Sequence, residues 1–174
     1  MKKQYFKIVK VIVLILYFSG LLALTFLGRE PEPERMAWLT LFGSFQRAWN
    51  EQHNFIFWGI VVNFMMMLPL GILLPLGSKR FGFLKTVFTA AGISFVIECA
   101  QYVTRLGYFD VDDLITNVWG AAAGAGFCLS IKELAAAVRK DMRPRCGRIA
   151  AGLIPFLLFL CFFGYFFVRI ESNL

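Results

Sequence analysis

Residues 109–131 read FDVDDLITNVWGAAAGAGFCLSI. Three aspartates, Asp110, Asp112 and Asp113, fall within four positions, and no formal charge follows until Lys132. A charge-free run of this length is what a membrane-crossing helix requires, roughly 20 mostly apolar residues. The stretch raises two questions: what kind of chain carries it, and why dense negative charge stands at the entrance to a span.

The rest of the chain answers the first. Residues 11–27, 55–77 and 149–168 also lack formal charge, and 81–104 carries only Lys85 and Glu98. Of the 174 residues 59% are hydrophobic and 17% charged, with a mean hydropathy of +0.67. A soluble globule of this size has too little interior to hide that much apolar surface. Period-2 alternation with turn signals is absent, which argues against a closed barrel. The expectation is an all-α, polytopic membrane helix bundle with about five transmembrane helices, forming one domain over residues 1–174. The first span is too long for a signal-peptide core and lacks a small-residue cleavage site after it, so it is expected to stay attached.

Lysine and arginine set the orientation. One side of the membrane receives thirteen of them: Lys2, Lys3, Lys7 and Lys10, then Lys79, Arg80 and Lys85, then Lys132, Arg139, Lys140, Arg143, Arg145 and Arg148. The other receives five: Arg29, Arg35, Arg47, Arg105 and Arg169. The N-terminus is therefore expected in the cytoplasm and the C-terminus outside. This bias, together with anionic lipid, accounts for the net charge of +7, so no nucleic-acid partner is called for. The four cysteines show no CxxC pair, and His53 stands alone, so neither a disulfide framework nor a histidine metal site is indicated.

The longest connection, residues 28–54, opens on the proline-rich REPEPER, which disfavours helix. Beyond it Trp38, Leu41, Phe42, Phe45, Ala48 and Trp49 recur at spacings of three and four. That pattern predicts an amphipathic interfacial helix on the outer leaflet, or alternatively a lid packed on protein.

Polar residues inside the spans converge. Glu98 lies six residues from the outer end of the third span, ~9 Å deep, and Asn63 lies eight residues into the second, ~12 Å deep. Ser94, Glu98, Gln101 and Arg105 form one helical stripe. Asp110, Asp113, Asn117, Gly120 and Gly124 form another if the fourth span begins at Asp110, and Asp112 falls off that stripe. The expected site is a polar pocket of Asn63, Glu98, Gln101, Arg105, Asp110, Asp113 and Asn117, floored by the close helix packing of the Gly120–Gly124 step. Ionisable groups within a span are costly and tend to be functional, which favours Glu98 above all. Plainer roles stand beside this one. Asp110 or Asp113 could serve only as a helix cap, Asp112 as a solvated charge, and Asn63, Gln101 and Asn117 as hydrogen-bond partners of Glu98.

The motifs NFMMMLPLG (63–71), Glu98-x-x-Gln101 and Asp110-x-x-Asp113-x-x-x-Asn117-x-x-Gly120-x-x-x-Gly124 resemble the VanZ-like family of bacterial membrane proteins, over residues 39–127. Leu41, in LTLF, stands where the family usually has proline. Many members carry arginine three positions before the first aspartate; here Gly107 occupies that place, with Arg105 two residues earlier. The resemblance implies a multi-pass protein of the bacterial plasma membrane and a link to low-level resistance to teicoplanin, a glycopeptide with a lipid tail.

Three classes of activity fit the residues. A binding protein would engage the head group of a membrane lipid or lipid-linked cell-wall precursor, or the antibiotic itself. An enzyme would use Glu98 and Asp113 as acid and base, or hold a divalent cation such as Mg²⁺ or Ca²⁺ through Glu98, Asp110 and Asp113. A transporter would need a polar path across the membrane, and the polar stripe stops at Asn117.

Overall fold

The computed structural model describes residues 2–51, 54–78, 80–139 and 145–171. His53, Lys79, Lys140 and Arg143 lie outside that set. Its elements in chain order are α1 (Lys2–Phe26), β1 (Ala37–Trp38), α2 (Gly43–Glu51), α3 (Asn54–Leu73), α4 (Phe83–Thr104), β2 (Phe109–Asp110), α5 (Val111–Arg139) and α6 (Cys146–Glu171). Among the described residues five helices are long and apolar enough to cross a membrane: Gln4–Phe26, Asn54–Leu73, Phe83–Thr104, Val111–Arg139 and Cys146–Arg169. The chain is a polytopic membrane helix bundle.

α5 is the central helix, with 56% of its apolar window buried. It packs on α3 through small residues. A Cβ on Gly120 would overlap the carbonyl of Phe64, one on Gly124 that of Leu68, and one on Gly71 of α3 that of Ala121. The contacts advance together along both helices, so α3 and α5 run parallel. Lipid tails are as apolar as leucine, and helices in a bilayer associate mainly where small residues let backbones approach. The expected role of the Gly120–Gly124 step is met, with α3 as its partner.

α6 runs antiparallel along an adjacent face of α5. Gly126 meets the Gly152 backbone, and Trp119 donates its indole N–H to the Pro155 carbonyl at 2.8 Å. An aromatic column fills the α3–α6 seam, with Phe64 stacked on Phe159 (centroids 3.5 Å apart) and Phe57 on Phe166 (4.7 Å). Much of the phenylalanine is spent here rather than on lipid alone.

α3 ends at Leu73, shortly before Pro75. Lysines take up the carbonyls released there. Lys10 Nζ donates to Leu74 O (3.1 Å) and Leu76 O (2.7 Å), while Lys132 Nζ donates to Pro75 O and to Ser78 O (3.2 Å). Cations at a helix C-terminus also suit its dipole. α1, whose apolar window is 11% buried, is tied to α3 mainly here and at Tyr17, which donates to Met66 O at 3.0 Å.

At the opposite end the chain departs from expectation. The amphipathic segment is not one helix from Met36. Ala37–Trp38 forms a short strand, parallel to Phe109–Asp110, and the helix begins only at Gly43. Two causes are visible: the 37–38 backbone pairs with 109–110, and Phe42 takes a left-handed conformation (φ 59°) that stops a helix from running through it. α2 then packs Ala48, fully buried, into the aromatic core beside Phe57 and Phe166.

Candidate functional site

The site is assembled at the β1–β2 end of the bundle, where the connection after α1 is pinned to the α4–α5 turn. Glu32 N–H donates to Arg105 O (2.7 Å), Phe109 N–H to Met36 O (3.1 Å), and Arg29 to Leu106 O (3.3 Å). Arg105, in a left-handed C-cap conformation (φ 61°), ends α4 and sends its side chain outward to Pro33 O (3.3 Å). The stripe expectation for Arg105 does not hold: the helix stops at Thr104, the stripe breaks, and the guanidinium braces the connection away from the cleft.

α5 begins at Val111, so Asp110 is not part of its stripe either. Asp110 Oδ1 accepts the Asp112 N–H (2.8 Å), which caps the helix, and Oδ2 accepts the Ser44 hydroxyl (3.0 Å). Burial pushes the Asp110 carboxyl above the ordinary aspartate range, and the Asp112 charge adds to this; the Asp112 N–H, the Ser44 hydroxyl and Arg47 oppose it. Asp110 borders a second, smaller groove with Trp38, Ser44 and Arg47. Arg47 lies over the Trp38 ring at 3.7 Å.

Asp112 is the clearest correction. It is not solvated: only 1% of it is exposed, and its carboxylate accepts the backbone N–H groups of Phe42 (2.6 Å) and Ser44 (2.7 Å). It thus holds the left-handed turn at Phe42 and supplies negative charge to the first turn of α2. Helical periodicity placed Asp112 off the polar stripe correctly, but the 37–44 segment folds over that face and covers it.

The other face of α5 looks into an open cleft of about 770 Å³. Asn63 from α3, Glu98 and Gln101 from α4, and Asp113 and Asn117 from α5 all line it. Five of the seven expected residues therefore meet. Glu98 is 2% exposed and accepts the Asp110 N–H at 3.1 Å. Asn63 stands beside Asp113 in the cleft. Asn117 donates from Nδ2 to Ser94 Oγ at 2.9 Å, while its Oδ1 is buried without a partner.

Arg29, Trp58 and Tyr108 also line the cleft, and sequence reasoning missed them. The Arg29 guanidinium lies where a side chain at Gly107 would project: a Cβ there would stand 3.2 Å from Arg29 Nη1 and 3.1 Å from Gln101 Nε2. A signal existed for the α3 wall, since Phe55, Gly59, Asn63 and Met66 recur at helical spacing and all face the cleft. Tyr108 donates to Glu32, which raises the phenol above its ordinary range.

A divalent cation held by Glu98, Asp110 and Asp113 does not match this arrangement. Among the described residues no three histidine, cysteine, aspartate or glutamate side chains converge as metal ligands, and Asp110 already accepts the Asp112 N–H and the Ser44 hydroxyl.

Fold and site together define a class: a multi-span helical membrane protein with a polar cleft sunk into one end of its bundle. The VanZ/LLP1 family model matches residues 10–133, and the chain belongs to that family. It is 31% identical over 65 residues to Protein VanZ of Enterococcus faecium, a match covering 37% of this chain and 40% of that relative. The matched part is thus less than half of the relative's length. No solved structure is significantly similar to the chain.

Proposed function

We propose that the cleft engages the polar head of a membrane lipid or lipid-linked cell-wall precursor in the outer leaflet of the bacterial plasma membrane, and that this changes how teicoplanin meets the cell surface. One observation carries the reading. Three helices deliver Asn63, Glu98, Gln101, Asp113 and Asn117 to a single open cleft whose α1 and α3 walls, including Leu24, Phe55, Trp58 and Val62, are apolar. Costly polar groups beside apolar walls suit an amphiphile, with its head at the carboxylates and its tail against α1 and α3. Transport is disfavoured, because from Gly120 inward the α5 face is sealed by the Phe64 and Leu68 backbones. Acid–base chemistry at Glu98 and Asp113 would use the same cleft, but no observation favours it over binding.

The test is expression in a sensitive Gram-positive host. Tolerance to teicoplanin should rise more than tolerance to vancomycin, which shares the peptide target but lacks the lipid tail. Glu98→Gln and Asp113→Asn should remove the difference at equal membrane levels; protection that persists in both variants overturns the reading.

The orientation belongs to the same proposal and rests on the thirteen-to-five bias of lysine and arginine. A cysteine at Leu27 should react with a membrane-impermeant thiol reagent in intact cells, and one at Val138 only after permeabilisation. The reverse pattern would invert the topology and put the cleft on the cytoplasmic side.

A further inference from the structure

The acceptor side of the cleft is overbuilt. Asn117 is 1% exposed, lines the cleft, and leaves Oδ1 without a hydrogen bond. A buried polar atom left unpaired costs about 1–3 kcal/mol, so one beside a cleft is where a ligand donor would gain most. Oδ1 accepts and cannot donate. Glu98 and Asp113, acceptor-only when ionised, line the same cleft. Glu98 receives one backbone N–H, which does not exhaust a carboxylate with two oxygens and about four acceptor positions. The ligand that completes such a set is a donor carrying positive charge.

The surroundings narrow it. Trp58 presents an indole to the same space, and aromatic faces attract cations. Arg29 stands at the mouth, near Gln101 and Gly107, where it can meet an anionic oxygen. Acceptors lie deep, a guanidinium lies at the rim, and an apolar wall runs down α1 and α3. Building on the head-group reading above, we infer that the cleft selects a primary ammonium linked to a phosphate, as in an ethanolamine phosphate head group. A quaternary ammonium has no N–H for Asn117 Oδ1 and would leave that acceptor unpaired. Sites built to hydrogen-bond a ligand group reject analogues that lack it strongly.

The purified full chain in detergent is titrated, by native mass spectrometry, with phosphatidylethanolamine, phosphatidylcholine and phosphatidylglycerol of identical acyl chains, and with free O-phosphoethanolamine. The expected result is at least roughly tenfold tighter binding of phosphatidylethanolamine than of phosphatidylcholine. Asn117→Leu should abolish that ratio. Ser94→Ala, which removes only the structural partner of Asn117, should keep it, and Arg29→Gln should weaken both zwitterionic lipids alike. Free O-phosphoethanolamine binding as tightly as the lipid would support the ammonium–phosphate chemistry and make its source soluble.

Equal binding of the ethanolamine and choline lipids, with affinity still lost in Glu98→Gln, overturns the ammonium inference and leaves the head-group cleft standing. A preference for phosphatidylglycerol overturns it likewise. Binding of none of the four probes removes both readings. The wild-type ratio decides even if Asn117→Leu fails to fold.

Discussion

The first turns of α5 present two faces with nearly the same chemistry and opposite outcomes. On one, Asp112 is sealed under the 37–44 segment, and its carboxylate is occupied by two backbone N–H groups. On the other, one residue away, Asp113 looks into an open cleft beside Glu98 and the unpaired oxygen of Asn117. Buried polar groups that are fully satisfied hold a structure together; those left partly unsatisfied beside open space mark where something else is meant to bind. Charge alone does not separate the two. The count of satisfied hydrogen bonds does.

The harshest test of that contrast is Asp112→Ala. It strands two N–H donors, the buried one of Ser44 and the part-buried one of Phe42, and releases the left-handed turn at Phe42, so unfolding stability should fall by roughly 3–5 kcal/mol, the scale of two hydrogen bonds to a charged acceptor. Thermal unfolding in detergent measures it. Asp112→Asn, which keeps one amide oxygen, should lose less but still clearly more than Asp113→Asn. Equal tolerance at the two positions would erase the distinction between the faces.

The cleft side should show the inverse profile. Glu98→Gln and Asp113→Asn are nearly isosteric and remove charge from a place where charge is costly, so stability should change by about 1 kcal/mol or less, or rise. Their effect belongs in lipid binding and in the teicoplanin–vancomycin difference. A collapse of stability in both would make these carboxylates structural, like Asp112.

What could be read from the sequence divides along the same line. The spans, the α5 glycine packing and the convergence of Asn63, Glu98, Gln101, Asp113 and Asn117 follow from periodicity and depth, which act within one helix at a time. The roles of Asp112, Arg105 and Arg29 leave no such trace, because they depend on the 27–44 connection. Its path is set by a two-residue parallel bridge and a positive φ at Phe42, neither of which leaves a periodic signal. α5 begins one residue after Asp110, and that single step makes a stripe member into a cap.

A smaller effect is expected at Gly107, which separates the Arg29 guanidinium from Gln101. Gly107→Ala puts a Cβ just over 3 Å from both, within reach of a slight shift of two flexible side chains. Stability should hardly move. The mouth should narrow, so lipid affinity should drop a few-fold without any change in the ethanolamine-to-choline ratio, because the deep acceptors are untouched. A change in that ratio would show that the rim, not Asn117, sets selectivity.

The smallest expected effect lies at Asp110, on the seam between the two faces. Its carboxyl caps α5 and holds Ser44, while its N–H reaches across to Glu98. Burial raises its folded pKa above the unfolded value. The folded state therefore binds the proton more tightly, and the stabilisation this gives is complete below the unfolded pKa and lost as pH rises through the folded one. Asparagine caps helices as well as aspartate does and does not titrate, so Asp110→Asn provides the reference. The melting temperature of the wild type minus that of Asp110→Asn should be greatest in acid, decline as pH climbs through and just above the ordinary aspartate range, and then level off. A difference that instead grows with pH would mean that Arg47 and the Ser44 hydroxyl outweigh burial, and Asp110 would then belong with Asp112 on the satisfied face.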